Sequence, residues 1–231
     1  VECLGLSGLD YIIVDNEHGC FHPQSDLEYI RTAKLYGLTP IVRVQEISRP
    51  AILKPLDVGA MGLLIPCVKT VEDAEKIVEY GKYAPVGSRG VAPGPGSGFW
   101  YEEYAQQGLE NYFEVSNRET LLIPQCETAE CLADLEKIVA VEGIDAIFVG
   151  PYDLSTSLGI AGQFDRPDFK QSLRHIAEVC HAAGKPCIIY AGSPKDSKDK
   201  FAMGYDSVAY GLDSVAFIEA FRNIRSQVLE K

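Results

Sequence analysis

The chain has 231 residues, of which 46% are hydrophobic and 23% charged, a globular rather than a disordered composition. Its 33 acidic residues against 21 basic ones give a formal charge of −12. No stretch gathers enough Lys and Arg to neutralise a phosphate backbone, which argues against nucleic acid as a partner and against an anionic membrane surface.

No apolar run approaches the roughly 20 residues of a membrane helix, and nothing at the start reads as a signal peptide. The seven cysteines (Cys3, Cys20, Cys67, Cys126, Cys131, Cys180, Cys187) are odd in number and form no CxxC. They read as buried free thiols in a reducing cytoplasm. Cys126, beside Glu127, is the one to watch as a nucleophile, although no His lies near it in sequence.

Seven short apolar runs predict strands at residues 11–15, 40–44, 62–66, 121–125, 146–150, 186–191 and 207–211. Nearly continuous apolar runs of this length suit parallel strands buried on both faces. Between them lie helices with readable ends. Ser25 and Glu28 form an S-x-x-E capping box for a helix stopped by Gly37. Ser48 opens a helix ending at Gly59, and Thr70 opens 71–80, with Glu72 and Asp73 in its first turn. Thr128 caps a helix running towards Ala140. Pro167 opens a long helix ended by Gly184, and Ser193-Pro194 starts a short one ended by Gly204. Asp213 or Ser214 starts the last, running to about Leu229. Residues 82–118 break the rhythm with Pro85, Gly87, Gly90 and the run Pro93–Gly98, so a functional loop is expected there. Its GPGSG run (94–98) makes a poor phosphate loop, because no strand-to-helix turn surrounds it. The strand–helix alternation predicts one α/β domain over 1–231 with a parallel sheet.

Polar residues gather where the strands end. Asp15 closes the first, with Glu17 and His18 following. Arg43 lies near the end of the second. Gln125 closes the fourth, with Glu127 following, and Gly150 closes the fifth, with Asp153 following. In a parallel barrel these ends converge on one face, where the active site lies. Arg43 in an apolar strand needs an anionic partner or ligand, because an unpaired buried charge is costly. The carboxylates make an oxygen-rich site suited to Mg²⁺ or Mn²⁺. His22, His175 and His181 read as structural or solvated. A rival chemistry, a Schiff base on Lys69 or Lys195, lacks an apolar strand to bury either lysine.

The stretch Asp15-Asn16-Glu17-His18-Gly19 resembles the D-x-E-H motif of the HpcH/HpaI family of metal-dependent pyruvate aldolases. Further matches are Val42-Arg43-Val44, the run from Leu56 to Pro66, Gly87-Ser88-Arg89-Gly90, Gln125-Cys126-Glu127-Thr128 and the run from Phe148 to Ser155. The resemblance implies a (β/α)₈ TIM barrel. It implies a divalent ion (Mg²⁺ or Mn²⁺, with Co²⁺ as a third candidate) held by Glu127 and Asp153. Arg43 would contact the oxygens of pyruvate, and Gln125 with the Gly150-Pro151-Tyr152 backbone would seat the keto acid. Asp15 and His18 would be an acid/base pair, with Asp15 orienting the imidazole. The implied reaction is reversible cleavage of a 4-hydroxy-2-oxo acid to pyruvate and an aldehyde through a pyruvate enolate. Oxaloacetate decarboxylation and citrate-lyase-type cleavage of CoA esters are the alternatives in the same superfamily. A homo-oligomer, dimer-based and up to a hexamer, is implied, with the last helix packing on a neighbour.

The sequence departs from the pattern at Tyr152, where many relatives carry a small residue. It also carries the 94–98 loop and Phe99-Trp100-Tyr101 in place of a basic loop, which points to a less polar aldehyde or to oxaloacetate decarboxylation as the chief activity. Seven strands rather than eight, with Val1-Glu2-Cys3-Leu4 reading as a helix end, predict a missing first βα unit of roughly 20–25 residues. A gap in the barrel wall is the expected result, unless a neighbour or another segment fills it.

Overall fold

The computed structural model of the protein describes residues 1–229. Its elements in chain order begin with α1 (Glu2–Leu6), β1 (Tyr11–Asp15), α2 (Pro23–Leu35), β2 (Thr39–Arg43), α3 (Arg49–Asp57), β3 (Gly62–Ile65) and α4 (Val71–Gly81). A 3₁₀ segment (Pro95–Trp100), α5 (Glu103–Gln106) and α6 (Leu109–Glu119) occupy the predicted loop. There follow β4 (Leu121–Cys126), α7 (Ala129–Ala133), α8 (Leu135–Ala140), β5 (Ile147–Val149) and α9 (Pro151–Ser157). The chain then runs through α10 (Pro167–Ala182), β6 (Cys187–Ala191), α11 (Pro194–Ala202), β7 (Ser207–Tyr210) and α12 (Asp213–Leu229).

All seven strands pair in parallel and in sequence order, giving a nearly closed TIM-type barrel. Among the described residues no ladder joins β7 to β1. A hydrogen bond from Ser207 Oγ to Tyr11 Oη (3.3 Å) spans that seam.

Residue parity along the strands sorts the core into two layers, because successive strand side chains point to opposite faces. Ile12, Val14, Val42, Leu63, Ile65, Leu122, Ile147, Val149 and Ile189 face outward and pack under the helices. Tyr11, Ile13, Ile41, Leu64, Ile123, Phe148 and Ile188 face inward and fill the lumen. The same parity sends Asp15, Arg43, Gln125 and Tyr190 into the lumen at its C-terminal mouth. The apolar plug below leaves only that end for chemistry.

The helix caps follow local side chains where these are present. Ser48, Thr70, Thr128 and Ser193 each accept the expected backbone N–H, and Thr70 forms a full capping box with Asp73. The Ser25–Glu28 box does not form. The cap of α2 is His22, because Pro23 occupies the first helical position and its fixed φ starts the helix earlier. The helix opened by Thr128 breaks at Asp134 into α7 and α8.

Residues 82–118 are pinned rather than loose. Lys82, 2% exposed, donates to Asn117 O (2.7 Å), Thr120 O (2.5 Å) and Asp145 Oδ2 (2.9 Å). The Tyr83 backbone and the Asn117 carboxamide exchange two hydrogen bonds. Gly96 sits so close to the Leu56 and Asp57 carbonyls that a Cβ there would collide with them. The GPGSG run is therefore a close-packing segment against the end of α3. Helix α12 buries none of its residues, although Phe217, Ile218, Phe221 and Ile224 lie on it.

Candidate active site

Asp15 and Arg43 are direct neighbours in the β1–β2 register. Their side chains meet in a bidentate pair, Nε to Oδ1 at 2.8 Å and Nη2 to Oδ2 at 2.5 Å. Burial would push the Asp15 carboxyl up, but the Arg43 guanidinium overrides this and holds it below its ordinary value. Asp15 Oδ1 also accepts the backbone N–H groups of Glu17 (3.0 Å) and His18 (3.3 Å), which folds the chain after β1 into a tight Asx-type turn. That turn swings Glu17 back over the mouth, where its Oε2 lies 3.1 Å from Arg43 Nη1. No donor points along a hydrogen-bonding direction at that oxygen, which is buried without a partner.

The expected Asp15–His18 side-chain pair is not formed. Asp15 spends its carboxylate on Arg43. The His18 imidazole is 71% exposed, and its nearest carboxylate is Glu17 at 3.9 Å. The register neighbour won over the residue three positions along, because the strand ladder fixes Arg43 while the turn sends His18 outward.

Across the mouth, Glu127 is 5% exposed and follows the end of β4. Its Oε1 accepts the Cys67 N–H at 2.6 Å, and its Oε2 accepts from the Gln125 carboxamide. Gly150 leaves room for this pair: a Cβ there would lie 2.8 Å from Gln125 Nε2 and 3.1 Å from Glu127 Oε2. Gln125 is 1% exposed, and its Oε1 has no donor. Cys67 holds φ +58, a left-handed backbone that non-glycine residues rarely adopt.

Charge is unbalanced here. Burial pushes the Glu127 carboxyl up, the Cys67 N–H opposes it, and the charges of Glu17 and Asp153 add to the rise. Burial likewise raises the Glu17 carboxyl, despite Arg43. Ligand atoms of Glu17, Cys67 and Glu127 all lie within 4.8 Å of one another. Asp153, exposed on the first turn of α9, is near enough to act on the charge of all three but stands outside that tight group. Sequence reading placed Glu17 in the neighbourhood and gave it no role, and it missed Cys67 altogether.

Pro151 is buried at the start of α9. Tyr152 is 58% exposed and packs edge-on against Phe164 (4.9 Å) and Tyr190 (6.0 Å). The thiol reading needs correction in two respects. Cys3, Cys20 and Cys67 are exposed, whereas Cys126 is buried. The neighbouring Cys131 thiol, and then burial, push Cys126 well above the usual thiol range, so it makes no nucleophile. Lys69 and Lys195 are 53% and 88% exposed and pair with Glu130 and Asp199, so neither is a desolvated Schiff-base lysine.

A parallel barrel whose C-terminal mouth holds a fixed guanidinium and a group of carboxylates, with Glu127 buried among them, is built for chemistry on a small oxyanion. The sequence profile of the HpcH/HpaI aldolase/citrate lyase family matches residues 1–220, and the chain belongs to that family. It is 34% identical over 220 residues to a 2-keto-3-deoxy-L-rhamnonate aldolase of Klebsiella pneumoniae, covering 95% of this chain and 80% of that one. It is 34% identical over 213 residues to a hydroxypyruvate/pyruvate aldolase of Chromohalobacter salexigens, covering 92% and 82%. The crystal structure of an HpcH/HpaI aldolase from Desulfitobacterium hafniense superimposes with a TM-score of 0.91 at 26% identity, covering 99% and 87%. The protein is an enzyme of the lyase class.

Proposed function

We propose that this enzyme reversibly cleaves a 4-hydroxy-2-oxo acid to pyruvate and an aldehyde through the enolate of pyruvate. The observation that carries the reading is the opposition of Arg43 to the Glu127 cluster across one small mouth, in a chain whose relatives are aldolases.

A divalent cation fits this mouth. Glu17 Oε2 and Gln125 Oε1 are buried acceptors without donors, and Glu127 is raised by burial with negative neighbours adding to the rise. The carboxylates at the mouth outnumber the one guanidinium, Arg43, and Glu127 with Asp153 would hold a further positive charge, as Mg²⁺, Mn²⁺ or Co²⁺. An ion held there would supply positive charge to the keto oxygen, where the negative charge of the enolate develops. Arg43 uses Nε and one Nη2 proton on Asp15, which leaves guanidinium N–H groups to bind the keto-acid carboxylate. Asp15 keeps the guanidinium in register. Gln125 and the backbone from Gly150 to Tyr152 seat the keto acid against Glu127. His18, at the exposed rim, carries the proton between the substrate hydroxyl and water. The ring of Tyr152, with Phe164 and Tyr190 behind it, offers the aldehyde an apolar wall.

The active form would be a homo-oligomer built on dimers. A 17-residue helix with no buried residue gains nothing from its own body, and Phe217, Ile218, Phe221 and Ile224 on α12 suit the surface of a second copy. Sedimentation of wild type and of the Phe217→Glu, Phe221→Glu variant tests this: a wild type that sediments as a monomer refutes it. The free thiols suit a cytoplasmic location.

The test of the reaction is incubation with Mn²⁺ or Mg²⁺ and a panel of 4-hydroxy-2-oxo acids while pyruvate is followed. Release that EDTA abolishes, fastest with apolar aldehyde portions, is the expected outcome. No release from any member overturns the reading.

A further inference from the structure

We propose that the Cys67 thiol is a protein ligand of the cation held at Glu127, and that this mouth therefore prefers a thiophilic divalent ion such as Co²⁺ or Zn²⁺ over Mg²⁺. The inference rests on the reading of Glu127 as a cation ligand.

Three observations converge on it. Cys67 Sγ, a Glu17 oxygen and a Glu127 oxygen lie within 4.8 Å of one another, the separation that ligands around one small ion require. The Cys67 backbone N–H donates to Glu127 Oε1 at 2.6 Å, so the residue carrying the thiol is fastened directly to that carboxylate. Gln125, 1% exposed, adds an oxygen with no donor while its nitrogen sits on the other Glu127 oxygen. A buried acceptor of this kind is normally satisfied, and a cation would satisfy it. The seven thiols differ sharply in setting. Cys126, Cys131, Cys180 and Cys187 are buried in the core, and Cys3 and Cys20 are exposed outside the carboxylate group. Only Cys67, among the described residues, stands with two carboxylates.

The donor chemistry then sets the preference. Carboxylate and amide oxygens alone suit Mg²⁺ or Mn²⁺, but a thiolate discriminates in favour of softer ions. On ligation the S–H bond breaks, the sulfur keeps the electron pair as the donor, and the proton leaves to bulk water.

The experiment is a Co²⁺ titration of the full chain followed by absorbance, beside the same titration of Cys67→Ser and Cys67→Ala. Wild type should show a near-ultraviolet sulfur-to-cobalt charge-transfer band together with the weaker visible bands of bound Co²⁺. Both variants should keep the visible bands and lose the ultraviolet one. Their Co²⁺ affinity should fall by about 10–100-fold, the usual cost of disturbing a metal site, while Mg²⁺ affinity changes far less. Visible bands without the ultraviolet band in wild type would overturn the Cys67 assignment and leave the cation reading standing. An ultraviolet band that survives in both variants would overturn it equally. No Co²⁺ binding at all would overturn both readings.

Discussion

Asp15→Asn separates two jobs that Asp15 could perform, holding Arg43 or orienting His18. The substitution keeps the size of the side chain and removes the charge opposite the guanidinium. Two charge-assisted hydrogen bonds join the pair at 2.8 and 2.5 Å, each worth about 1.5–3 kcal/mol when well buried. Three features reduce that sum. The side chains of Arg43 and Asp15 are 19% and 25% exposed, Glu17 remains as a second anion 3.1 Å from Nη1, and Asn retains one acceptor. The net loss is then about 2 kcal/mol, or roughly 30-fold. Under the proposed role of Arg43, meeting the keto-acid carboxylate, the loss should fall on KM, with kcat changing much less. Steady-state pyruvate release at saturating Mn²⁺ measures both. In a double-mutant cycle, Asp15→Asn and Arg43→Gln should be coupled by about 2 kcal/mol. If the two substitutions add independently, and Asp15→Asn instead reproduces the kcat loss of His18→Asn with an unchanged KM, then Asp15 serves the imidazole and the anchoring argument is wrong.

Lys82→Met should destabilise the fold by about 2–4 kcal/mol, because it removes the cation beside Asp145, which keeps the Leu122 N–H, and leaves two carbonyls without their donor; a chemical-denaturation shift under about 1 kcal/mol would contradict the pinning of residues 82–118. Gly150→Ala should weaken cation binding by about 10–100-fold with little change in melting temperature, since the added Cβ displaces Gln125 and Glu127; isothermal titration with Mn²⁺ checks this, and unchanged affinity would show that the gap is not needed. Asp206 contributes to acid sensitivity. Burial pushes its carboxyl up, but the Cys187 N–H (2.8 Å) and His181 hold it below its ordinary value. A depressed folded value means that its contribution is complete above the unfolded value, about 3.9, and is lost as pH falls through the folded one. Urea midpoints measured at pH 7 and pH 3 should therefore drop more for wild type than for Asp206→Asn, and equal drops would refute the assignment.

The central strands β2 to β5 were readable because burial on both faces leaves little room for polar interruptions, so each appears as an apolar run that a helix or loop would not need. Caps were readable where the side chain bonds its own neighbourhood, as at Ser48, Thr70, Thr128 and Ser193. At Ser25 the same pattern misled, because Pro23 imposes a helical φ two residues earlier and takes the decision away from the hydroxyl. Helix α12 illustrates a different limit. The family resemblance implies that it packs on a neighbour; the helix leaves its apolar residues exposed, and nothing local to 213–229 encodes what they cover.

The site was half readable, and the division follows one physical line. Asp15, Arg43, Gln125 and Glu127 gather because strand parity and a common strand end are properties of sequence spacing. Partnership within the mouth is not, since it depends on which strands are adjacent. Asp15 and Arg43, 28 residues apart, face each other because β1 and β2 pair in register, and that adjacency displaced the nearer candidate, His18. Parity alone, applied to two consecutive inward-facing strand ends of opposite charge, would have favoured this pair over a residue in the following turn. Cys67 lies beyond such reasoning. It comes after β3 has ended, where parity no longer holds, and its left-handed backbone turns it to the Glu127 carboxylate.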